Sequence, residues 1–417
     1  MSSGIPEVTR IPKSRYGIAM KACMVSYSNY ESDSRVRRYA ETLCKRGYKV
    51  DVLAIRQEGE SSSAVIDGVR VFRIQLRVRD EKSKVGYLRK LILFFLRSMF
   101  FLTWEQIKEP YDLIHVHSVP DFEVFAALIP KLMGCKVILD IHDIVPEFYA
   151  SKFKTSSNSA VFRLLVAVER MSAAFSDHVI AANHIWEERL IQRSVRKDKC
   201  TAMINFPDTD IFRPRRDRND GKFIILYPGT LNYHQGVDIA IRAFSLIKDK
   251  ATQAEFHIYG AGDQRDALKS LIAELGLQER IFLREFVSRK EIVAIMGNAD
   301  LGVVPKRKNS FGNEAFSTKI LEFMCLGVPV VIPDTAIDRY YFNDSVAQFF
   351  NADDVASLAD ALVSLIRNPE HRKDLVCNAN EFVKQYTWEA NQTTYLNIVD
   401  SLVNSSNRKV KGGVKQL

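Results

Sequence analysis

Residues 305–333 read PKRKNSFGNEAFSTKILEFMCLGVPVVIP, and the order of residue types along this stretch decides the fold. Ser317 and Thr318 stand directly ahead of an apolar run, which is the signal of a helix entry. Gly327 is placed to end that helix, after which Val328 to Ile332 extends as a buried strand. With either Ser317 or Thr318 as the cap, Glu314 falls in the loop before the helix and Glu322 about one turn into it. The first backbone N–H groups of a helix have no intrahelical partner, so those of Ser317, Thr318 and Lys319 point outward, a geometry suited to phosphate. One carboxylate is left on each side of that phosphate position. Carboxylates accept hydrogen bonds from hydroxyls and repel phosphate, so the layout fits a ligand with hydroxyls on both sides of a phosphate, as in a nucleotide sugar.

Working outward, strands and helices alternate in two successive series. The first opens with a strand Ile18 to Tyr27, a polar loop Ser28 to Ser34, a helix Arg35 to Arg46 and a strand Tyr48 to Ile55. It continues through strands at Val69 to Ile74, Tyr111 to His117, Lys136 to Ile141 and His178 to Ala182. The stretch INFPDTDIFRPRRDRNDGK, rich in Pro, Asp and Arg, closes it as a linker. The second series begins at Phe223 to Tyr227 and runs through Glu255 to Tyr259 and Arg280 to Phe286 to the quoted stretch. This pattern predicts an α/β protein of two doubly wound, Rossmann-like parallel-sheet domains. The expected divisions are a disordered tail over 1–16, a first domain over 17–204, a linker over 205–221, a second domain over 222–385, a helix over 386–405 and a tail over 406–417.

A chain of 417 residues, 47% hydrophobic, suits two well-packed domains and argues against disorder. The six cysteines show no Cys-x-x-Cys pair and no metal-ligand spacing, so free thiols and no disulfides are expected. Net charge is +9, from 59 basic and 50 acidic residues, which is compatible with nucleic acid, anionic lipid or phosphorylated small molecules. No zinc-finger or RNP signature accompanies the charge, so no nucleic-acid partner is expected. Met1 to Tyr16 lacks an apolar core of the signal-peptide kind.

Glu314, the intervening Ala315 to Leu321, and Glu322 resemble the E-x7-E signature of retaining glycosyltransferases with the GT-B fold, in the large family-4-like group. The residues that follow, EFMCLGVPVV, are similar to those that usually follow in that family. The resemblance implies two domains facing a central cleft, the first taking a glycan or lipid-linked acceptor and the second a nucleotide-sugar donor. It implies Glu314 on the donor sugar, Glu322 on the nucleotide ribose, and the diphosphate on the N–H groups of Ser317, Thr318 and Lys319 and of the Gly229 loop. Retention at the anomeric carbon follows from the same likeness, as does a reaction that needs no metal or other cofactor. The implied setting is cell-surface polysaccharide or glycolipid synthesis, in the cytoplasm or on the inner face of the cell membrane.

Around Gly229 the sequence PGTLNYHQG resembles the family's G-R-L-x-x-x-K-G loop, whose Arg and Lys grip the diphosphate. Here Thr230 and Gln235 hold those places ahead of Gly236, so two cationic contacts become neutral, and Lys319 is a candidate to supply the missing charge. Phe286 and Val287 fall where related enzymes hold the nucleotide base. On the acceptor side the candidates are Asp33 and Arg35 in the first loop, and His142, Asp143 and Glu147 in DIHDIVPEFY. A His just beyond the carboxyl end of a parallel strand faces the ligand crevice, where it can donate to a sugar hydroxyl or a developing phosphate charge. His115 and His117 read as strand and loop structure. Asp208-Thr209-Asp210 mimics a D-x-D metal motif but sits in the crossover, so it is not taken as a metal site.

Leu91 to Trp104, LILFFLRSMFFLTW, follows a basic stretch through Arg77, Arg79, Lys82, Lys84, Arg89 and Lys90. It is too short for a membrane span and carries Arg97. The 77–104 region reads instead either as a core helix or as a helix lying in a membrane interface, a peripheral contact that suits a lipid-linked acceptor. Two rival functions share this architecture: a nucleotide-sugar epimerase, which needs no acceptor loop, and a non-catalytic nucleotide-sugar-binding subunit.

Overall fold

The computed structural model describes residues 19–77, 84–153, 155–156, 158–214, 218, 220–309 and 311–413. The expected tail at 1–16, and Arg79 and Lys82 of the basic stretch, lie outside them. The chain forms two compact units: residues 1–149 with 155–203 and 392–417, and residues 150–154 with 204–391.

The first unit contains β1 (Lys21–Ser26), β2 (Lys49–Arg56), β3 (Ser63–Ile66), β4 (Val69–Leu76), β5 (Leu113–His117), β6 (Lys136–Ile141), β7 (His178–Ala181) and β8 (Cys200–Ala202). They form one sheet in the order β3-β4-β2-β1-β5-β6-β7-β8. Every pairing is parallel except the β3–β4 hairpin, whose turn places Asp67 and Gly68 at positive φ. Parallel strands are covered on both faces and become buried along their whole length, which β1 and β5 are. Lys21 is therefore buried within β1, and it pairs with Glu105 at 3.2 Å and Glu109 at 3.4 Å.

The second unit contains β9 (Phe223–Pro228), β10 (Ala254–Tyr259), β11 (Ile281–Arg284), β12 (Leu301–Val303), β13 (Val330–Pro333) and β14 (Gln348–Phe350), in the order β11-β10-β9-β12-β13-β14, all parallel. Both sheets have the order of a doubly wound fold, in which β1 and β5, and β9 and β12, flank the points where strand order reverses. Loops at the carboxyl ends of these strands are where such sheets hold ligands. Glycines allow close packing there: a Cβ on Gly302 in β12 would stand 2.6 Å from the ring of Phe323.

The helix carrying the 91–104 run is longer than that run, Lys84–Lys108. Its inner side, including Leu91, Phe94, Ser98 and Leu102, is buried, so the core reading holds for that side. The last helix runs Trp388–Gly413, beyond the expected end at 405. No proline interrupts it. All six cysteines are free, and no helix among the described residues is long and apolar enough to cross a membrane.

Candidate active site

In the second unit the quoted stretch folds as a loop, the helix Thr318–Cys325 and β13. Ser317 takes the N-cap position, but its side chain makes no capping hydrogen bond. Its Oγ is buried and has no hydrogen-bond partner within the protein. A buried hydroxyl left in this state costs free energy unless a water or a ligand accepts from it. Glu314 and Glu322 are half-buried on either side of this helix start. The loop before the helix is fixed from below: Lys306 Nζ donates to the Ala315 carbonyl at 2.7 Å and pairs with the buried Asp338 at 3.0 Å.

The loop after β9 meets this helix. A Cβ on Gly229 would stand 2.4 Å from Lys319 Cε, so the lysine stem lies directly on that glycine. Lys319 Nζ reaches Gln235 Oε1 at 3.3 Å and lies 5.5 Å from the Tyr227 ring centroid. The Tyr227 hydroxyl donates to the Thr230 carbonyl at 2.8 Å and reaches Gln235 Oε1 at 3.1 Å. Gly236 closes the loop with φ of 65°, and any Cβ there would stand 2.1 Å from the Pro305 carbonyl oxygen. Thus Gly229, Gln235, Gly236 and Lys319 are brought together, and the ammonium stands beside the neutral amide. Burial lowers the Lys319 pKa to about 8, with Glu322 pulling the other way. Thr230 and Phe286 are exposed and Val287 is half-buried.

In the first unit Asp33 is the N-cap of the Ser34–Lys45 helix, its carboxylate accepting from the N–H groups of Arg35 and Val36 at 3.2 Å. Arg35 is buried, and its fork is bound to both oxygens of Asp140 at 2.7 Å. Its remaining donor reaches the Met203 carbonyl, so the guanidinium is held by groups of its own unit. Glu147 is likewise buried, bound to Arg193 at 2.5 Å and Arg189 at 3.3 Å. Arg193 also binds Glu169, which makes this a shared ion network. Burial raises the Asp143 carboxyl, with His142 opposing. His142 is a quarter exposed and rests with Nε2 3.2 Å from Asp140 Oδ2. His115 and His117 are fully buried beside it. The alternation His-x-His along a strand puts both on one face, yet nothing in the local sequence indicates that this face also carries Asp140.

Residues 208–382 match the family model described as "Glycosyl transferases group 1", and residues 32–205 match "Glycosyl transferase 4-like domain". The chain is 25% identical over 375 residues to an uncharacterized glycosyltransferase of Methanocaldococcus jannaschii, covering 84% of this chain and 89% of that one. Among solved structures, a sucrose-phosphate synthase from Thermosynechococcus elongatus superposes with a TM-score of 0.77 at 18% identity, covering 93% of this chain and all of that one. The Anabaena protein HepE, in complex with UDP and glucose, superposes with a TM-score of 0.65 at 17% identity, covering 95% of this chain and 100% of that one. These likenesses identify the fold as the two-domain, Rossmann-like GT-B type. With both family models matched in succession along its length, the chain belongs to the 4-like glycosyl transferases and is a glycosyltransferase.

Proposed function

We propose that the protein transfers a sugar from a nucleotide-sugar donor to a hydroxyl of a glycan or lipid-linked acceptor, with retention at the anomeric carbon. The observation that carries this reading is the start of the Thr318–Cys325 helix. A buried, unpartnered Ser317 hydroxyl, the outward N–H groups of a helix N-terminus, and the Lys319 ammonium against Gly229 make one anion-binding surface. Glu322 then takes the ribose hydroxyls and Glu314 those of the donor sugar. Thr230 and Gln235 line the loop, and Phe286 with Val287 stand at the base. Charge developing on the leaving diphosphate is stabilised by fixed dipoles and by Lys319, so the reaction needs no metal. Within the first unit, His142, with Asp143 next to it in sequence, meets a sugar or phosphate oxygen.

An acceptor on a lipid carrier fits the surface of the Lys84–Lys108 helix. Leu88, Ile92, Leu96, Phe100 and Trp104, each four residues from the next, form an exposed stripe that winds across the outer side of the helix, and basic Arg89 is exposed on the same helix. An apolar stripe bordered by positive charge is the pattern of a helix seated in an anionic membrane interface.

Thermal melting against UDP-, GDP- and ADP-sugars tests the donor reading, because a ligand that binds only the native state raises the melting temperature with its concentration. One nucleotide series should stabilise the protein, and Lys319→Ala should weaken that effect. Absence of stabilisation by all three would sink the proposal.

A further inference from the structure

The carboxyl ends of β5 and β6 carry a polar cluster that a parallel-sheet core does not require for packing. Asp140 stands opposite His117 in the β5–β6 register, and both are buried with His115. His142 follows two residues later. Three atoms, His117 Nδ1, His142 Nε2 and Asp140 Oδ2, lie at the corners of a triangle with all three sides 3.2 Å.

The charge state of Asp140 decides where the hydrogens in this triangle go. Burial alone would raise its pKa, but the Arg35 guanidinium, bound through two nitrogens at 2.7 Å, and the His142 imidazole hold it well below the usual carboxylate range. Asp140 is therefore ionised and can only accept. A bare ring nitrogen at 3.2 Å from such an oxygen would set lone pair against lone pair, so His142 Nε2 and His117 Nδ1 both carry hydrogen. Burial lowers the pKa of His117, which is thus neutral, with Nε2 as its bare nitrogen. That Nε2 is buried without a partner, a state less costly for a lone pair than for an orphaned N–H. His115 is stacked on His117 at 4.2 Å between centroids, and its Nδ1 is 3.2 Å from the Tyr395 hydroxyl, which fixes the far side of the cluster.

Resting on the role given to His142 above, we propose that Asp140, locked by Arg35 and shared with His117, is a positioning residue that holds His142 in the Nε2–H tautomer. Nδ1 is then the ring nitrogen presented to a sugar or phosphate oxygen. In neutral His142 it accepts a hydrogen bond from a sugar hydroxyl; once protonated it donates to phosphate while Asp140 balances the imidazolium charge, the division of labour of a carboxylate–imidazole pair. Among the described residues, the ionisable groups that interact with His142 are Asp33, His115, His117, Asp140 and Asp143, and Arg35 holds the Asp140 carboxylate through two nitrogens. His115, His117 and Asp140 also have the spacing of a metal site. Arg35 already engages both Asp140 oxygens, however, and a dication would sit beside a buried guanidinium, which favours the hydrogen-bonded arrangement.

Long-range 1H–15N correlation spectra of the full chain, with His142 assigned by comparison with His142→Gln, read the tautomer directly. In the neutral ring the wild type should show a protonated Nε2 and bare Nδ1, and Asp140→Asn should lose that pattern. Should Asp140→Asn fail to fold, Arg35→Met combined with Asp140→Asn removes both buried charges and gives the same reading. A neutral His142 ring protonated at Nδ1 in place of Nε2 in the wild type, an unchanged pattern in the folded variant, or one equivalent of bound divalent metal by elemental analysis would overturn the proposal. In sugar transfer, Asp140→Asn and His142→Gln should each lower kcat by about a hundredfold with donor KM nearly unchanged, and the double variant should lose no more than either alone. Full activity of His142→Gln, with the wild type showing the expected tautomer, would refute the role of His142 in transfer and leave the positioning by Asp140 standing.

Discussion

Lys319 lies against Gly229 so closely that a single added methyl group on the glycine would stand 2.4 Å from the lysine Cε. A positive charge is thereby delivered from the helix to a loop whose own two corresponding positions, Thr230 and Gln235, are neutral. In the proposed function, that ammonium supplies the charge that holds the diphosphate.

Because burial lowers Lys319 to about 8, its charge is present below that pH and lost above it. Nucleoside diphosphate binding is expected to be level near neutrality and to weaken above pH 8, by no more than about tenfold per pH unit. Lys319→Met should bind weakly and without this dependence. Isothermal titration across the range checks it, and a wild-type affinity that stays constant to pH 9.5 would refute the role.

The two glutamates should separate kinetically. A hydrogen bond from a ribose hydroxyl to a carboxylate contributes about 1.5–3 kcal/mol, so Glu322→Ala should raise the nucleotide Kd roughly ten- to a hundredfold. Glu314→Ala should leave nucleotide binding within a few-fold and slow transfer far more. Wild-type behaviour of both variants removes the central assignment.

Glu123, on the short turn Asp121–Ala127, gives a prediction for stability. Burial pushes its carboxyl up to about 8, against a smaller opposing pull from the Ser98 hydroxyl, from an ordinary value of 4.5. The folded chain keeps a proton there that the unfolded chain releases, so the group's contribution to stability falls as pH rises from about 4.5 to about 8. Glu123→Gln has no proton to lose. Its melting temperature should exceed that of the wild type by a gap that widens over this window, with a ceiling of about 1.4 kcal/mol per pH unit. A gap independent of pH would contradict this account.

On the outer face of the Lys84–Lys108 helix, Phe100 is 73% exposed and Trp104 is 53% exposed. Replacing either with Glu removes nothing from the core, so the melting temperature should be unaffected. Each buried aromatic is worth about 1.5–3 kcal/mol, and binding to vesicles rich in anionic lipid should fall by roughly ten- to a hundredfold per substitution. Equal sedimentation of variants and wild type with such vesicles would rule out this face as the membrane contact.

The sequence made the architecture legible because local signals agreed. Ser317 and Gly327 bound a helix, the strand after it is uniformly apolar, and the same alternation recurs twice. The first unit was harder to read, since the partners of its charged residues are remote. Arg35 has the look of a ligand contact in an isolated loop, but its carboxylate partner is 105 positions away on β6. Glu147 is bound by Arg193, 46 positions later. The spacing of His115 and His117 shows that they share a face, whereas the identity of what lies across that face depends on strand order. The 91–104 run likewise read either as a core helix or as an interfacial one, and the fold shows which of its residues the core uses.

Tyr395, whose hydroxyl reaches His115, is fully buried in the first unit together with Val399, although the rest of that unit ends at residue 203. A ribosome that has made residues 1–203 must therefore still reach residue 399 before this core is complete. Until the Trp388–Gly413 helix arrives, the nascent first unit waits with an open seam that exposes it to chaperones, proteases and aggregation.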